Sequence, residues 1–156
     1  MKLKVYLEEG EKKKKIEKIK YDDSKTEGKS DIEIYKYIDK ILRDEVSDHK
    51  KLRGKTWYWY WDMVPGKFEP CITIFIGEKL TTMPVKIKGT EEQLGELKYN
   101  MAEILGIPEE EVLKVYEKYL KEQFSDHEKL KGKDWSWEKG NDWNTGVPLI
   151  YITINE

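Results

Sequence analysis

Ile34, Tyr35, Ile38, Ile41, Leu42 and Val46 recur at intervals of three and four, a single apolar stripe that predicts an amphipathic helix. Ser30 and Glu33 stand at its start as a capping box, where side chains satisfy N–H groups that have no partner within the helix. Val112, Leu113, Tyr116, Tyr119, Leu120 and Phe124 draw the same stripe later in the chain, opened by Pro108 and the acidic run Glu109 to Glu111. Between and around the stripes the period falls to two. Leu3, Val5 and Leu7 alternate with Lys4, Tyr6 and Glu8, and Val85 and Ile87 behave likewise. Residues 56–62 and 70–76 predict a strand pair about the turn Pro65-Gly66, and residues 134–138 and 147–154 predict another. Pro70 and Pro148 fall at strand starts, where a missing N–H does least harm. A third helix is expected over residues 91–105, capped by Thr90 and Gln93, striped by Leu94, Leu97, Met101 and Ile104, and ended by Gly106. Residues 9–29 offer a further strand near 15–21.

The two long stripes belong to an internal repeat. Residues 30–76 align with 108–154 without a gap, at an offset of 78, and 17 of the 47 positions are identical, well beyond coincidence. Ser47-Asp48-His49, Lys51-Leu52, Gly54-Lys55, Trp57 and Trp59 recur as Ser125-Asp126-His127, Lys129-Leu130, Gly132-Lys133, Trp135 and Trp137. Gly54 and Gly132 are placed to stop the helical segments through a positive φ. The fold class expected is α+β: duplicated strand–helix–strand–strand modules, residues 1–79 and 80–156. They would form one pseudo-two-fold domain, an antiparallel sheet with helices on one face.

The repeat divides the aromatic run Trp57-Tyr58-Trp59-Tyr60-Trp61 into two faces, because side chains alternate across a strand. Trp135 and Trp137 alternate with Ser136 and Glu138, which prefer water, so the Trp residues are assigned to the helix-covered face, and Trp57 and Trp59 with them. The other face then carries Tyr58, Tyr60, Phe75, Tyr151 and Glu138, rings that can stack a planar ligand or hold a cation beside a carboxylate. Cover by another subunit or a loop accounts for the same face equally well. Trp61 and Trp143 lie nearer loops, where they either close over a ligand or cap the core.

Composition narrows the partners. Charged residues are 38% of the chain, yet the net charge is −2, so opposite signs are interspersed. Of the 29 cations only Arg43 and Arg53 are Arg, the residue that forks onto phosphates, which argues against nucleic acid. The cluster Lys12 to Lys15 has acidic neighbours and reads as a solvated hairpin or loop. Such a Lys/Glu excess fits a thermophile, an AT-rich genome or a redesigned sequence. The lone Cys71 excludes an internal disulfide, and two histidines show no metal-ligand spacing, so no cofactor or metal is expected. His49 and His127 read as structural groups near helix ends before they read as an acid–base pair. There is no secretory segment and no apolar run near 18 residues; a cytoplasmic location and no membrane association are expected.

The tandem strand–helix–strand–strand order and the length resemble the GyrI-like small-molecule-binding family. That resemblance implies paired modules whose open sheet face takes aromatic or cationic ligands with the help of an acidic residue, some relatives being hydrolases of strained-ring compounds. The family's turn after the first strand is echoed by Lys86-Ile87-Lys88-Gly89-Thr90, and no catalytic residue carries over. The function expected is non-enzymatic binding of a small planar or cationic ligand. A protein-interaction or inhibitor module of phage or defence type using the same face stays open. So do a hydrolase using Glu138, Tyr58 or His127, and a designed scaffold without native function. The sequence does not set the oligomeric state.

Overall fold

The alternation of KLKVYLEE becomes β1 (Lys2–Glu9), whose Leu3, Val5 and Leu7 are all buried while Lys4, Tyr6 and Glu8 are not. The computed structural model describes residues 1–90, 92–142 and 145–155. The chain turns at Gly10 into β2 (Lys12–Lys20), passes through α1 (Asp31–Glu45), and continues as β3 (Trp57–Met63) and β4 (Pro70–Ile76). The second half repeats the course as β5 (Leu80–Ile87), β6 (Gln93–Asn100), α2 (Glu109–Phe124), β7 (Asp134–Asn141) and β8 (Pro148–Asn155).

The protein is thus α+β, with two like four-stranded sheets ordered β2-β1-β4-β3 and β6-β5-β8-β7. One compact unit comprises Met1–Lys79 with Ala102–Pro108, the other Leu80–Met101 with Glu109–Glu156. Each sheet is mixed. Its two hairpins are antiparallel, whereas the central pair, β1 with β4 or β5 with β8, is parallel, because the helix carries the chain back before the second hairpin begins. The register is the same in both: Val5 faces Ile72 and Leu7 faces Ile74, as Val85 faces Ile150 and Ile87 faces Ile152. Even the irregularity repeats, with a bulge between Val5 and Tyr6 and between Val85 and Lys86.

The helix expected over 91–105 is corrected: residues 93–100 are the strand β6. Leu94, Leu97, Met101 and Ile104 do fall at helical spacing, but the inward row is Gly95, Leu97 and Tyr99, opposite Val85, Met83 and Thr81. Gly95 leaves room for the Phe124 ring, which a Cβ would meet at 3.4 Å, and Tyr99 packs edge-on against Tyr116 of α2, centroids 5.2 Å apart. Pairing with β5 and packing on α2 override the local helix propensity of Leu, Glu and Lys. β2 is the counterpart in the first half, longer than the strand expected near 15–21 and including the Lys cluster.

The helices form where the stripes place them. The Ser30 box is present in both directions, with Glu33 N–H donating to the Ser30 hydroxyl and Ser30 N–H to the Glu33 carboxylate. Ile38, Leu42 and Val46 are buried in the first module, and their repeat partners Tyr116, Leu120 and Phe124 in the second. The core of the first module joins them to Leu3, Val5, Leu7, Ile19, Leu52, Trp57, Trp59, Ile72 and Ile74. Trp57 and Trp59 therefore face α1, as the repeat implies. Burial of side chains of this size contributes roughly 1.5–3 kcal/mol each.

Candidate functional site

Trp59 finds the polar partner that a buried indole requires. Trp59 is fully buried, stacks on Tyr35 with centroids 4.0 Å apart, and donates its Nε1–H to Asp39 at 2.8 Å. The Tyr35 hydroxyl donates to the Trp59 carbonyl at 2.7 Å, and burial pushes the Tyr35 phenol well above its ordinary value. Arg43 lies 3.5 Å over the Trp57 ring and donates to the Trp57 carbonyl; Lys121, its repeat partner, lies 4.2 Å over Trp135. Trp61 shares this face, edge-on to Trp59 at 5.3 Å and 43% exposed, so it lies opposite Tyr58 and Tyr60 rather than beside them. Trp143 lies outside the described residues.

The histidines belong to a turn. His49 Nδ1 accepts the Lys51 N–H at 3.2 Å, and His127 Nδ1 accepts the Lys129 N–H at 3.1 Å. In each copy the His carbonyl also accepts the N–H groups of the following Leu and its neighbour, seating Leu52 and Leu130 in the core. Gly54 and Gly132 close these turns with φ of 73° each, several residues beyond the helix ends rather than at them. Within the repeated Ser-Asp-His block it is the His that builds this connection in both copies.

On the face away from α1, the first module brings Tyr58, Tyr60 and Phe75 together. Phe75 is buried, with Tyr58 at 5.7 Å and Tyr60 at 6.1 Å between centroids. Charges that sequence reading did not single out enclose the group. Lys13 and Lys79 stand 5.7 and 5.3 Å from the Tyr60 ring centre, Lys79 pairs with Glu8 at 2.6 Å, and the Tyr60 hydroxyl donates to Glu8 at 3.4 Å. Asp62 accepts from Lys13 at 2.5 Å, from the Thr73 hydroxyl at 2.7 Å and from the Met63 N–H at 2.8 Å. Burial opposes ionisation of Asp62, but these donors prevail and hold its carboxyl below the usual range. Burial likewise opposes the Lys13 charge, and Asp62 raises the ammonium above its ordinary value. Burial and the nearby Glu8 push the Tyr60 phenol up. The signal for Asp62 was its alternation with Tyr58 and Tyr60; Lys13 was hidden by the bulge, which shifts the β2 faces.

The second module treats the same face differently. Its repeat positions hold Ser136 for Tyr58, Glu138 for Tyr60, Gly140 for Asp62, Tyr151 for Thr73 and Thr153 for Phe75. Gly140 matters for what it lacks, since a Cβ there would stand 2.8 Å from Tyr151 Cε2 and 3.0 Å from Cδ2. The half-buried Tyr151 ring lies over that gap. Glu138, directly across from Tyr151 in the register, pairs with Lys88 at 2.6 Å, both side chains more than half exposed. Lys88, Gly89, Thr90, Glu138 and Tyr151 line an open cavity of about 390 Å³. The five candidates thus fall into two sets, Tyr58, Tyr60 and Phe75 in one module and Glu138 and Tyr151 in the other.

Among the described residues no group of three or more His, Cys, Asp or Glu is placed to hold a metal, and no helix is long and apolar enough to cross a membrane. No known protein family, curated protein or solved structure matches the chain.

Proposed function

We propose that the chain is a non-catalytic binding protein whose second module takes a small planar ligand, neutral or cationic, against Tyr151 and Glu138. The observation that carries this reading is the Tyr151 ring over Gly140 at the wall of an open cavity, with an exposed carboxylate directly across the strand pair. A ring supplies stacking area, and Glu138 supplies charge complementarity once its exposed pair with Lys88 exchanges for a ligand cation. In the first module the equivalent positions are occupied by the Tyr60, Asp62 and Lys13 cluster, with Tyr58 half-buried beside Phe75.

Titration with a planar cationic dye, followed by dye fluorescence, tests the reading. Saturable binding is expected, weakened about tenfold or more by Tyr151→Ala and less by Glu138→Gln. Undiminished binding in Tyr151→Ala removes the site from the second module.

A second reading, a protein-interaction module, is favoured by the β3–β4 hairpin, where Phe68 is 98% exposed and Met63 49%. Pull-down of a stoichiometric partner that is lost in Phe68→Ser supports it. Retention of that partner in the variant counts against it.

A further inference from the structure

Each sheet ends in an edge strand beside the helix connection, β2 in the first module and β6 in the second. An edge presents outward N–H and C=O groups that must be covered, deterred or used. The second module covers its edge at Lys98. Gln123 of α2 accepts the Lys98 N–H at 3.0 Å and donates to the Lys98 carbonyl at 2.6 Å, so one side-chain amide stands in for a neighbouring peptide group.

The first module lacks that clamp. At the repeat offset Gln123 corresponds to Glu45 and Lys98 to Lys20, and a carboxylate cannot donate to a carbonyl. The Lys18 N–H points away from β1, because it donates to the Glu17 carboxylate at 3.0 Å. By the two-residue period Lys20 is directed the same way. Among the described residues no backbone group outside β1 bonds to β2.

Charge completes the surface. Six of the nine β2 residues are Lys and one is Glu. Lys15, Lys18 and Lys20 pair with Tyr6, Lys4 and Lys2, which alternate with the core residues Leu3 and Val5, so all three lie on the face away from α1 and all are exposed. Slight desolvation, then Lys18 and Lys4, lower the Lys15 ammonium from its ordinary value, as expected where like charges gather.

We propose that the outer edge of β2 is a docking edge for an acidic extended peptide, which adds as a fifth strand and sets its carboxylates against Lys15, Lys18 and Lys20. The directional backbone groups suit a peptide rather than a nucleic acid, and the group already seated on the Lys18 N–H is a carboxylate. The proposal is independent of the Tyr151 cavity, which belongs to the other module.

Fluorescence anisotropy with a labelled peptide of alternating Glu and Thr tests it against the intact chain. Three further ligands are compared: the peptide N-methylated at alternate residues along one edge, the peptide N-methylated along the other edge, and an oligothymidylate of equal charge. Binding of the plain peptide is expected, with loss in one N-methylated register and retention in the other. Lys15→Glu with Lys18→Glu is expected to weaken it about tenfold or more. Lys18→Pro, which removes only an outward N–H, is expected to weaken it more than Lys18→Ala. If Lys18→Pro perturbs the fold by circular dichroism, the two methylated registers decide, since they leave the protein unaltered. The proposal is overturned if no peptide binds, as when the lysines only deter edge-to-edge association. Equal binding of both methylated registers, or oligothymidylate binding as tightly as the peptide, overturns it too.

Discussion

On the side of the sheet that meets the helix, the two modules differ mainly in size, Ile38 against Tyr116 and Val46 against Phe124, and the shared tryptophan is fully buried as Trp59 but half-buried as Trp137. On the other side they differ in kind. Tyr60, Asp62 and Thr73 make a hydrogen-bonded network with Lys13 and Glu8, and the cavity of about 400 Å³ beside it is lined by Glu8, Phe75 and Lys79, whereas Glu138 and Tyr151 carry no such network among the described residues and themselves line the second module's cavity. The face that holds the fold together tolerates volume changes within one chemistry, because every residue there must be apolar or internally paired. The outer face has no such requirement, so the two copies are free to differ there in chemistry as well as in size.

The largest test of this contrast lies in the tryptophans. Trp59→Ala should cost about 3–5 kcal/mol, since it empties a fully buried site and strips Asp39 of a donor; Trp137→Ala, at a half-buried position, should cost roughly half of that. Urea denaturation of both variants is the check, and equal losses would erase the distinction between the two cores.

Gly140→Val probes the open face. The added carbons collide with the Tyr151 ring, with an expected cost of about 1–3 kcal/mol and a loss of dye binding. Dye titration of a variant still folded by circular dichroism reads the second effect separately.

The closed face should instead reveal itself through pH. The Asp62 carboxyl is held below its ordinary value of 3.8, so its stabilisation is fully present above that value and is lost as pH falls through the lower folded value. Asp62→Asn should cost about 1–2 kcal/mol at pH 7, and the gap to the parent should close below about pH 4. Denaturation at pH 7, 5 and 3 measures it; a gap independent of pH would assign the loss to packing. Lys13, raised by the same pair, gives the mirror effect above its ordinary value of 10.5.

The smallest expected effect is at the helix starts. Ser30→Ala removes the hydroxyl that accepts the Glu33 N–H, the side-chain half of the capping box at residue 30, and should cost about 1 kcal/mol, read as a shift in the urea midpoint.

The helices and the core tryptophans were legible because their signals are local and redundant. The α1 stripe, the Ser30 box and the second copy all say the same thing. β6 was not legible, since Leu94, Leu97, Met101 and Ile104 satisfy a helical period as well as Gly95, Leu97 and Tyr99 satisfy a strand's, and only the partner β5 decides between them. Lys13 and Glu8 were missed for a related reason. Their meeting with Asp62 and Tyr60 depends on register across all four strands of the sheet, and a bulge in one of them moves side chains beyond it to the other face. Gly140 carried a readable mark, a glycine at an alternating strand position, whose significance waited on the ring beside it.

The parallel centre of each sheet also sets an order of assembly. Val5 can settle only when Ile72 arrives, a separation of 67 residues, while both hairpins close through neighbouring segments. Until nearly the whole module has been made, the opening strand therefore has only β2 beside it, a two-stranded hairpin of marginal stability with its apolar row on an unfinished sheet. Hydrogen exchange on chains truncated before Pro70 should find β1 unprotected, and protection there would mean that the β1–β2 hairpin stands alone.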